Sequence, residues 1–437
     1  MSVRFDGHEQ GMATGRDARQ ADHAAVPHGD LSSVGILQLQ YVIAIFSIVC
    51  KRKLQRQKKT LSIIAMAQDD RRRIVRVGIW WESGMTLERR DILRGAALAG
   101  LGATLPTGAL ANTVSPTAID PIAAVAPELR PAARQIQAMV AAMPPITQAY
   151  RTMRAGPQPP PATDIPQVER RIPGAAGQPP VTVYVINAKP GTRRPAILHT
   201  HGGGYIVGSA KGSILQCQDL ARQLDCVVVT VEYRLAPETT YLGSVADNHA
   251  ALLWLNANAA TLGVDPARIA VMGESAGGGH AALLALMARD RRSVPLCAQV
   301  LIYPMLDDRT GSTRAVPPFI GRIGWDAPAN IFGWTCFLGQ APGGAAVPAA
   351  GVPARVRHLS GLPPTFIAVG SVDLFVEEDV DYARRLIVAG VPTELVVTPG
   401  GFHGFDAVAP DTGLARRFTA AKIAALRRAF GSDGTAT

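Results

Sequence analysis

The run Gly273-Glu274-Ser275-Ala276-Gly277 ends an apolar stretch, Arg268-Ile269-Ala270-Val271-Met272, and opens an Ala/Leu-rich segment. A serine hydroxyl is a weak nucleophile until the backbone presents it on a sharp strand-to-helix turn, where flanking glycines relieve the crowding. The spacing predicts such an elbow at Ser275, although an ordinary turn would use the same residue types. Upstream, His201-Gly202-Gly203-Gly204-Tyr205 follows the strand candidate Pro195-Ala196-Ile197-Leu198-His199-Thr200. Acyl transfer builds negative charge on an oxygen, and consecutive glycines let backbone N–H groups converge on it where a Cβ would obstruct. The rival readings of that run are a plain Gly-rich turn and a phosphate cradle. Neither Gly-x-Gly-x-x-Gly nor Gly-x-x-x-x-Gly-Lys-Ser/Thr occurs there, which disfavours the cradle.

A serine nucleophile needs a base, and the base needs a carboxylate to fix its tautomer. Asp373 follows the apolar run Pro364–Ser371, and His403 lies in the loop Pro399–Phe405 after the strand candidate Thr393–Thr398. Ser275, Asp373 and His403 are thus each expected just past the carboxyl end of a strand. In a parallel sheet those ends share one crevice, so residues far apart in sequence meet there. Asp379 and Asp381 are rival acids, but they fall at helical spacing with Arg384 and Arg385 and read as a solvated face. Glu274 reads as an anchor of the turn, and His201 as a hydrogen-bonding prop for the glycine loop. His199 is a further rival for the base, while His249, His280 and His358 have no partner pattern and read as structural.

These residues carry a family resemblance. His201–Gly204, Tyr233-Arg234-Leu235-Ala236-Pro237-Glu238, the Gly-Glu-Ser-Ala-Gly elbow and Phe402-His403-Gly404-Phe405 together resemble the bacterial hormone-sensitive-lipase-like esterases. These are the family IV carboxylesterases, or α/β-hydrolase fold-3 group. The resemblance spans about residues 126–430. It implies Ser275 as nucleophile, His403 as general base and Asp373 as orienting acid, with oxyanion donors at the backbone of Gly203, Gly204 and Ala276. Glu274 stands where many members carry Asp, and Leu374 where many carry Pro; both lie outside the triad. The implied activity is hydrolysis of short- to medium-chain carboxylic esters through an acyl-enzyme. The alternatives are amide, arylacetamide or carbamate cleavage, or acyl transfer to an alcohol, by the same triad. A non-catalytic ligand-binding homologue is a further alternative. The expected partner is a small-molecule ester, and a homodimer stays open.

The elements that must position this site follow from pattern. Cys226–Thr230, Ala298–Tyr303 and the runs already named alternate with helical segments, which predicts a mainly parallel sheet covered on both faces. The fold class is therefore α/β, an α/β-hydrolase domain over 166–437; the resemblance implies a small N-terminal helical cap, with its linker, over 112–165, where a simple packing helix is the alternative. Ile136, Met139, Val140 and Met143 mark the cap's apolar face at helical spacing, and the Pro-rich run 157–161 ends it. Asp307–Pro353 inserts Trp325, Phe332, Trp334 and Phe337 between two core strands, as pocket wall or as plain core.

The formal net charge of +10 raises the question of nucleic acid. Residues 1–111 hold 16 Lys+Arg against 10 Asp+Glu, leaving only +4 for the rest, and no nucleic-acid-binding motif accompanies them. Nine histidines and five cysteines show no paired ligand spacing, so no metal and no cofactor is expected, and no disulfide framework. Within the N-terminal quarter, Arg89-Arg90, a mildly apolar stretch to Leu105 and Ala109-Leu110-Ala111 are the parts of a twin-arginine export signal. Translation is expected to start at Met85, with 1–84 an upstream or disordered extension, 85–111 the signal, and the mature chain beginning near Asn112. That places the enzyme in the periplasm or outside the cell, or in the cytoplasm if the signal is unused. Residues 1–84 read as polar and irregular apart from Ile36–Cys50, which falls short of the ~20 residues a membrane-spanning helix needs, with a membrane anchor backed by Lys51-Arg52-Lys53 as the alternative if the segment is translated. No stable membrane partner is expected after processing.

Overall fold

The computed structural model describes residues 120–154, 158 and 160–431, with the backbone of 62–67 and 75–80. The chain divides into two units, Met1–Ser115 and Pro116–Thr437. In the first, β1 (Ser62–Ala67) pairs antiparallel with β2 (Val75–Trp80). These strands fall in a stretch expected to be irregular; paired isoleucines in one and alternating Val75, Val77 and Ile79 in the other suit extended backbone. The run Ile36–Cys50 and the export segment 85–111 lie outside the described residues.

The second unit is built on an eight-stranded sheet in the order β10-β9-β8-β7-β5-β6-β4-β3. Its strands are β3 (Gln167–Ile172), β4 (Val181–Ile186), β5 (Arg194–Thr200), β6 (Val227–Glu232), β7 (Val264–Glu274), β8 (Ala298–Ile302), β9 (Thr365–Gly370) and β10 (Thr393–Thr398). From β6 to β10 every neighbouring pair is parallel, whereas β3 and β4 join antiparallel at one edge. The chain runs from β5 out to β6, then back across β5 to β7. The order therefore reverses between β5 and β7, and the crevice outside a reversal is where such sheets bind ligands.

Side chains alternate across each strand, and the alternation divides the core in two. Ile269 and Val271 of β7 pack toward α4 (Tyr241–Ala257), α6 (Ala276–Arg291) and α8 (Val376–Val388). Ala270 and Met272 face α3 (Ile214–Leu224) and α10 (Gly413–Ala429). Each fully buried Val, Ile or Leu contributes about 1.5–3 kcal/mol of transfer free energy, so the doubly covered strands anchor the loops at their ends. The polar strand β3, exposed over most of its length, carries no apolar pattern by which sequence could have placed it.

Two helices, α1 (Arg130–Ala142) and α2 (Ile146–Arg154), occupy the segment expected to form the cap. Their inward residues are only partly those picked by periodicity, since Ile136 packs against the core as expected. Leu129, Ala133, Ala149 and Tyr150 are buried, while Met139 and Val140 are 53% and 45% exposed. The reason is that this short layer covers the body along one side only, so apolar residues over a wider arc stay outside. Within the insertion, α7 (Ala327–Leu338) buries Trp334 and Phe337 as plain core.

Candidate active site

Ser275 sits between β7 and α6 with φ 56° and ψ −121°, a conformation costly for any residue with a Cβ. The surrounding backbone holds it there. Ser275 N donates to Ile302 O at 2.9 Å, and Ser275 O accepts from Gly279 N at 3.0 Å and Met305 N at 2.9 Å. The flanking glycines are required by space. A Cβ on Gly277 would lie 2.0 Å from Thr200 O, and one on Gly273 2.4 Å from Gly277 backbone. The elbow therefore nests against the end of β5, where the glycine loop begins.

That loop runs His201–Gly208 and folds back on itself, with Ile206 N and Val207 N donating to Gly203 O at 3.0 and 2.9 Å. Gly203 and Gly204 have φ of 123° and 57°. Among the described residues their N–H groups take no protein acceptor, and Ala276 N–H opens α6. His201 props the loop as expected: its Nδ1–H donates to Gly202 O at 2.8 Å, and Tyr233 Oη donates to His201 O at 2.6 Å. Trp325 lies against the loop, so that a Cβ on Gly204 would sit 2.2 Å from its ring.

Asp373 follows β9 and is fully buried; its Oδ1 accepts from Phe375 N at 3.0 Å. Its Oδ2 meets His403 Nδ1 at 2.8 Å, and His403 Nε2 meets Ser275 Oγ at 3.0 Å. Because a carboxylate can only accept, Nδ1 carries the proton and Nε2 is left to accept from the serine. The loops bearing Asp373 and His403 are tied together by Val372 N to Gly401 O at 3.1 Å and Gly400 N to Ser371 Oγ at 2.8 Å. Tyr303 and Phe375 hold the His403 ring edge-on from two sides, at 4.8 and 5.2 Å. The geometry thus brings Ser275, Asp373, His403 and the glycine loop to one crevice, at the reversal between β5 and β7.

The rival acids separate. Asp381 is on the surface with Arg384 at 2.9 Å, as expected. Asp379 is not part of a solvated face: it is fully buried, and neither carboxylate oxygen has a hydrogen-bond partner among the described residues. Burial, with Glu378 and Asp373 nearby, holds its carboxyl well above the usual carboxylate range. Helical spacing alone could not reveal that α8 turns this residue inward. Glu274 is the turn anchor. It accepts from Gln216 Nε2 at 2.6 Å and meets the buried His199 ring at 2.9 Å. Burial opposes its charge, but His199, Lys422 and Gln216 together outweigh that and hold the carboxyl below its ordinary value. Sequence reasoning missed the buried support under His403, where Tyr303 Oη donates to Asp406 Oδ1 at 3.0 Å beside Lys422. Buried Asp and Lys at consecutive helices carry no local signal of each other.

His201 and His280 both pack on the Tyr233 ring, at 4.1 and 4.4 Å between centroids. Burial pulls them down to about 4 and about 3 respectively. Both are therefore neutral in the folded chain while the unfolded chain takes up their protons below about 6.5. Stability consequently falls as pH drops below that value, by about 1.4 kcal/mol per pH unit for each ring, until the folded value is reached. Neither His280 nitrogen has a hydrogen-bond partner among the described residues, so His280→Leu orphans nothing there. Urea melts at pH 7 and pH 5 should show the variant losing about half as much stability as the wild type from these two rings. Equal losses would refute the assignment.

The crevice, the strained serine and the hydrogen-bonded Ser-His-Asp line define a hydrolase of the α/β class, and the chain belongs to the hormone-sensitive-lipase-like, α/β-hydrolase fold-3 family. The family's α/β-hydrolase fold profile matches residues 197–407. Carboxylesterase NlhH of Mycobacterium tuberculosis is 36% identical over 248 residues, 54% of this chain and 74% of that protein. Ethyl acetate hydrolase of Pseudomonas putida is 36% identical over 218 residues, 48% of this chain and 65% of that protein. Among solved structures, a bacterial heroin esterase superposes with a TM-score of 0.62 at 36% identity, covering 71% of this chain and 99% of that one.

Proposed function

We propose that this protein is a serine carboxylesterase that hydrolyses uncharged esters of short to medium acyl length through an acyl-enzyme. The observation that carries the reading is the 3.0 Å contact from His403 Nε2 to Ser275 Oγ, with Asp373 2.8 Å behind the ring. In the first step His403 takes the serine proton as Oγ attacks the ester carbonyl. The oxygen that gains charge is met by the N–H groups of Gly203, Gly204 and Ala276, and the protonated base then gives its proton to the departing alcohol. Water repeats the sequence on the acyl-enzyme and releases the acid. Relatives named for carboxylic esters and for ethyl acetate support the substrate class and the shorter end of its range.

Rates on p-nitrophenyl acetate, butyrate, octanoate and palmitate, beside the matching anilides, test this. The account expects ester turnover that peaks at or below octanoate and exceeds anilide turnover. Preference for anilides would replace it with an amidase.

The glycine loop supplies a second check. At Gly204 a methyl group would meet the Trp325 ring at 2.2 Å and would stand on backbone with φ 57°. Trp325 cannot readily yield, because its Nε1 donates to Asn330 Oδ1 at 3.3 Å. Gly204→Ala is expected to lower kcat by about 10²- to 10³-fold, the cost of misplacing one oxyanion donor. An unchanged kcat would remove Gly204 from the donor set.

The export reading rests on Arg89-Arg90 and Ala109-Leu110-Ala111. N-terminal sequencing of the protein from its native host should give a mature end near Asn112. An end well before Met85 would overturn it.

A further inference from the structure

The glycine loop is held from outside by one side chain of the cap. Arg154, the last residue of α2, donates Nε–H to Ile206 O at 2.6 Å and Nη2–H to Ala236 O at 2.5 Å. Its third contact, Nη1 to Glu238 Oε2 at 3.0 Å, is to a carboxylate that is more than half exposed and so contributes little. The guanidinium is oriented by Tyr150, whose ring centroid lies 5.2 Å from its carbon, and Tyr150 in turn packs on Phe332 of α7.

The Ile206 carbonyl and the Val207 N–H belong to one peptide group. That N–H donates to Gly203 O at 2.9 Å. The Gly203 carbonyl and the Gly204 N–H belong to the next peptide group in the line. A hydrogen-bonded series therefore runs from the guanidinium through two peptide units to the Gly204 N–H, with each dipole aligned to the one before. Aligned bonds strengthen one another, by perhaps 10–30% per bond in condensed phase, and a permanently charged donor at the head adds to the effect. The Ala236 bond fixes the guanidinium plane, so the series has a defined direction.

We propose that Arg154 is a positioning residue for ester hydrolysis, aiming and polarising the Gly204 N–H through the Val207 and Gly204 peptides. The inference rests on the reading of that N–H as an oxyanion donor. It assigns the cap a part in the chemical step that exceeds covering the crevice. Lysine keeps the charge but cannot reach both carbonyls in one plane.

The test is steady-state hydrolysis of p-nitrophenyl butyrate by the full chain and its Arg154→Ala, Arg154→Lys and Glu238→Ala variants. Alongside it run inhibition by a butyl trifluoromethyl ketone, which forms an oxyanion on the serine, and thermal melting. Arg154→Ala should lower kcat by about 10- to 100-fold with KM changed less than about threefold, a fraction of the loss expected for a deleted donor. Ketone affinity should fall in step with kcat. Arg154→Lys should recover only part of the rate, guanidinium ion at millimolar concentration should raise the rate of Arg154→Ala, and Glu238→Ala should stay within about twofold of wild type.

A lower melting temperature with unchanged kcat and ketone affinity would make Arg154 a tie of the cap alone and overturn the proposal. So would an equal rise in KM and fall in kcat/KM at constant kcat. If Arg154→Ala does not fold, Arg154→Lys decides by the same split. Failure of the underlying reading looks different: the wild type itself would not turn over the ester, or would not bind the ketone.

Discussion

Ser275→Ala is expected to lower kcat/KM for p-nitrophenyl butyrate by about 10⁵- to 10⁶-fold, close to the loss from removing the whole triad in a serine hydrolase. Among the described residues no other hydroxyl hydrogen-bonds His403, whose Nε2 faces Ser275 Oγ and whose ring is fixed by Asp373. The fold should survive. Alanine keeps the same Cβ on the same strained backbone, so the strain at φ 56° is neither relieved nor raised. Ser275→Gly removes that Cβ and should raise the melting temperature while being equally inactive. Initial-rate assays and melting curves on the two variants check both halves. Retained activity in Ser275→Ala would move the nucleophile elsewhere.

Asp373→Asn is expected to cost about 10⁴-fold in kcat with little change in KM. A neutral amide at this position can present N–H to His403 Nδ1. That stabilises the tautomer with its proton on Nε2, which cannot accept from Ser275. The amide also withdraws the charge that balances the imidazolium. Asp379→Asn is the contrasting variant. Its carboxyl is buried, held well above the usual carboxylate range and without a partner among the described residues, so the amide should leave kcat within a few-fold of wild type. Equal losses in the two variants would mean that the acid is misassigned.

The site was legible where chemistry demands a local signature. Gly273, Gly277 and the Gly202–Gly204 run mark places where a Cβ meets backbone, and such demands appear directly as residue types. The doubly buried strands were legible too, since β5 and β9 are buried throughout their length around the apolar runs Ala196–Leu198 and Phe366–Val369, and they end just before His201 and Asp373. Their common direction then brought Asp373, His403 and Ser275 together by geometry alone. What stayed hidden depends on contacts between distant segments. Arg154 reads as one basic residue on a short helix until its carbonyl partners, 52 and 82 residues away, are known. Asp379 and Asp381 share a helix and a residue type, and only the packing of α8 puts one in the core and the other in water. On α1 the apolar spacing was real, but a cap helix packs on one side, so Met139 and Val140 remained exposed. Strand β3 pairs through its backbone and needs no apolar face at the sheet edge.

The central claim is that an acyl group rests on Ser275 between the two halves of the reaction. Its most direct test is to mix the enzyme with p-nitrophenyl acetate, quench in acid within milliseconds, and locate the acetyl group by mass spectrometry after proteolysis. A burst of one p-nitrophenolate per active site is expected, with acetyl on the peptide containing Ser275 and none in Ser275→Ala. Turnover with no burst and no adduct, or acetyl carried by another residue, would contradict it.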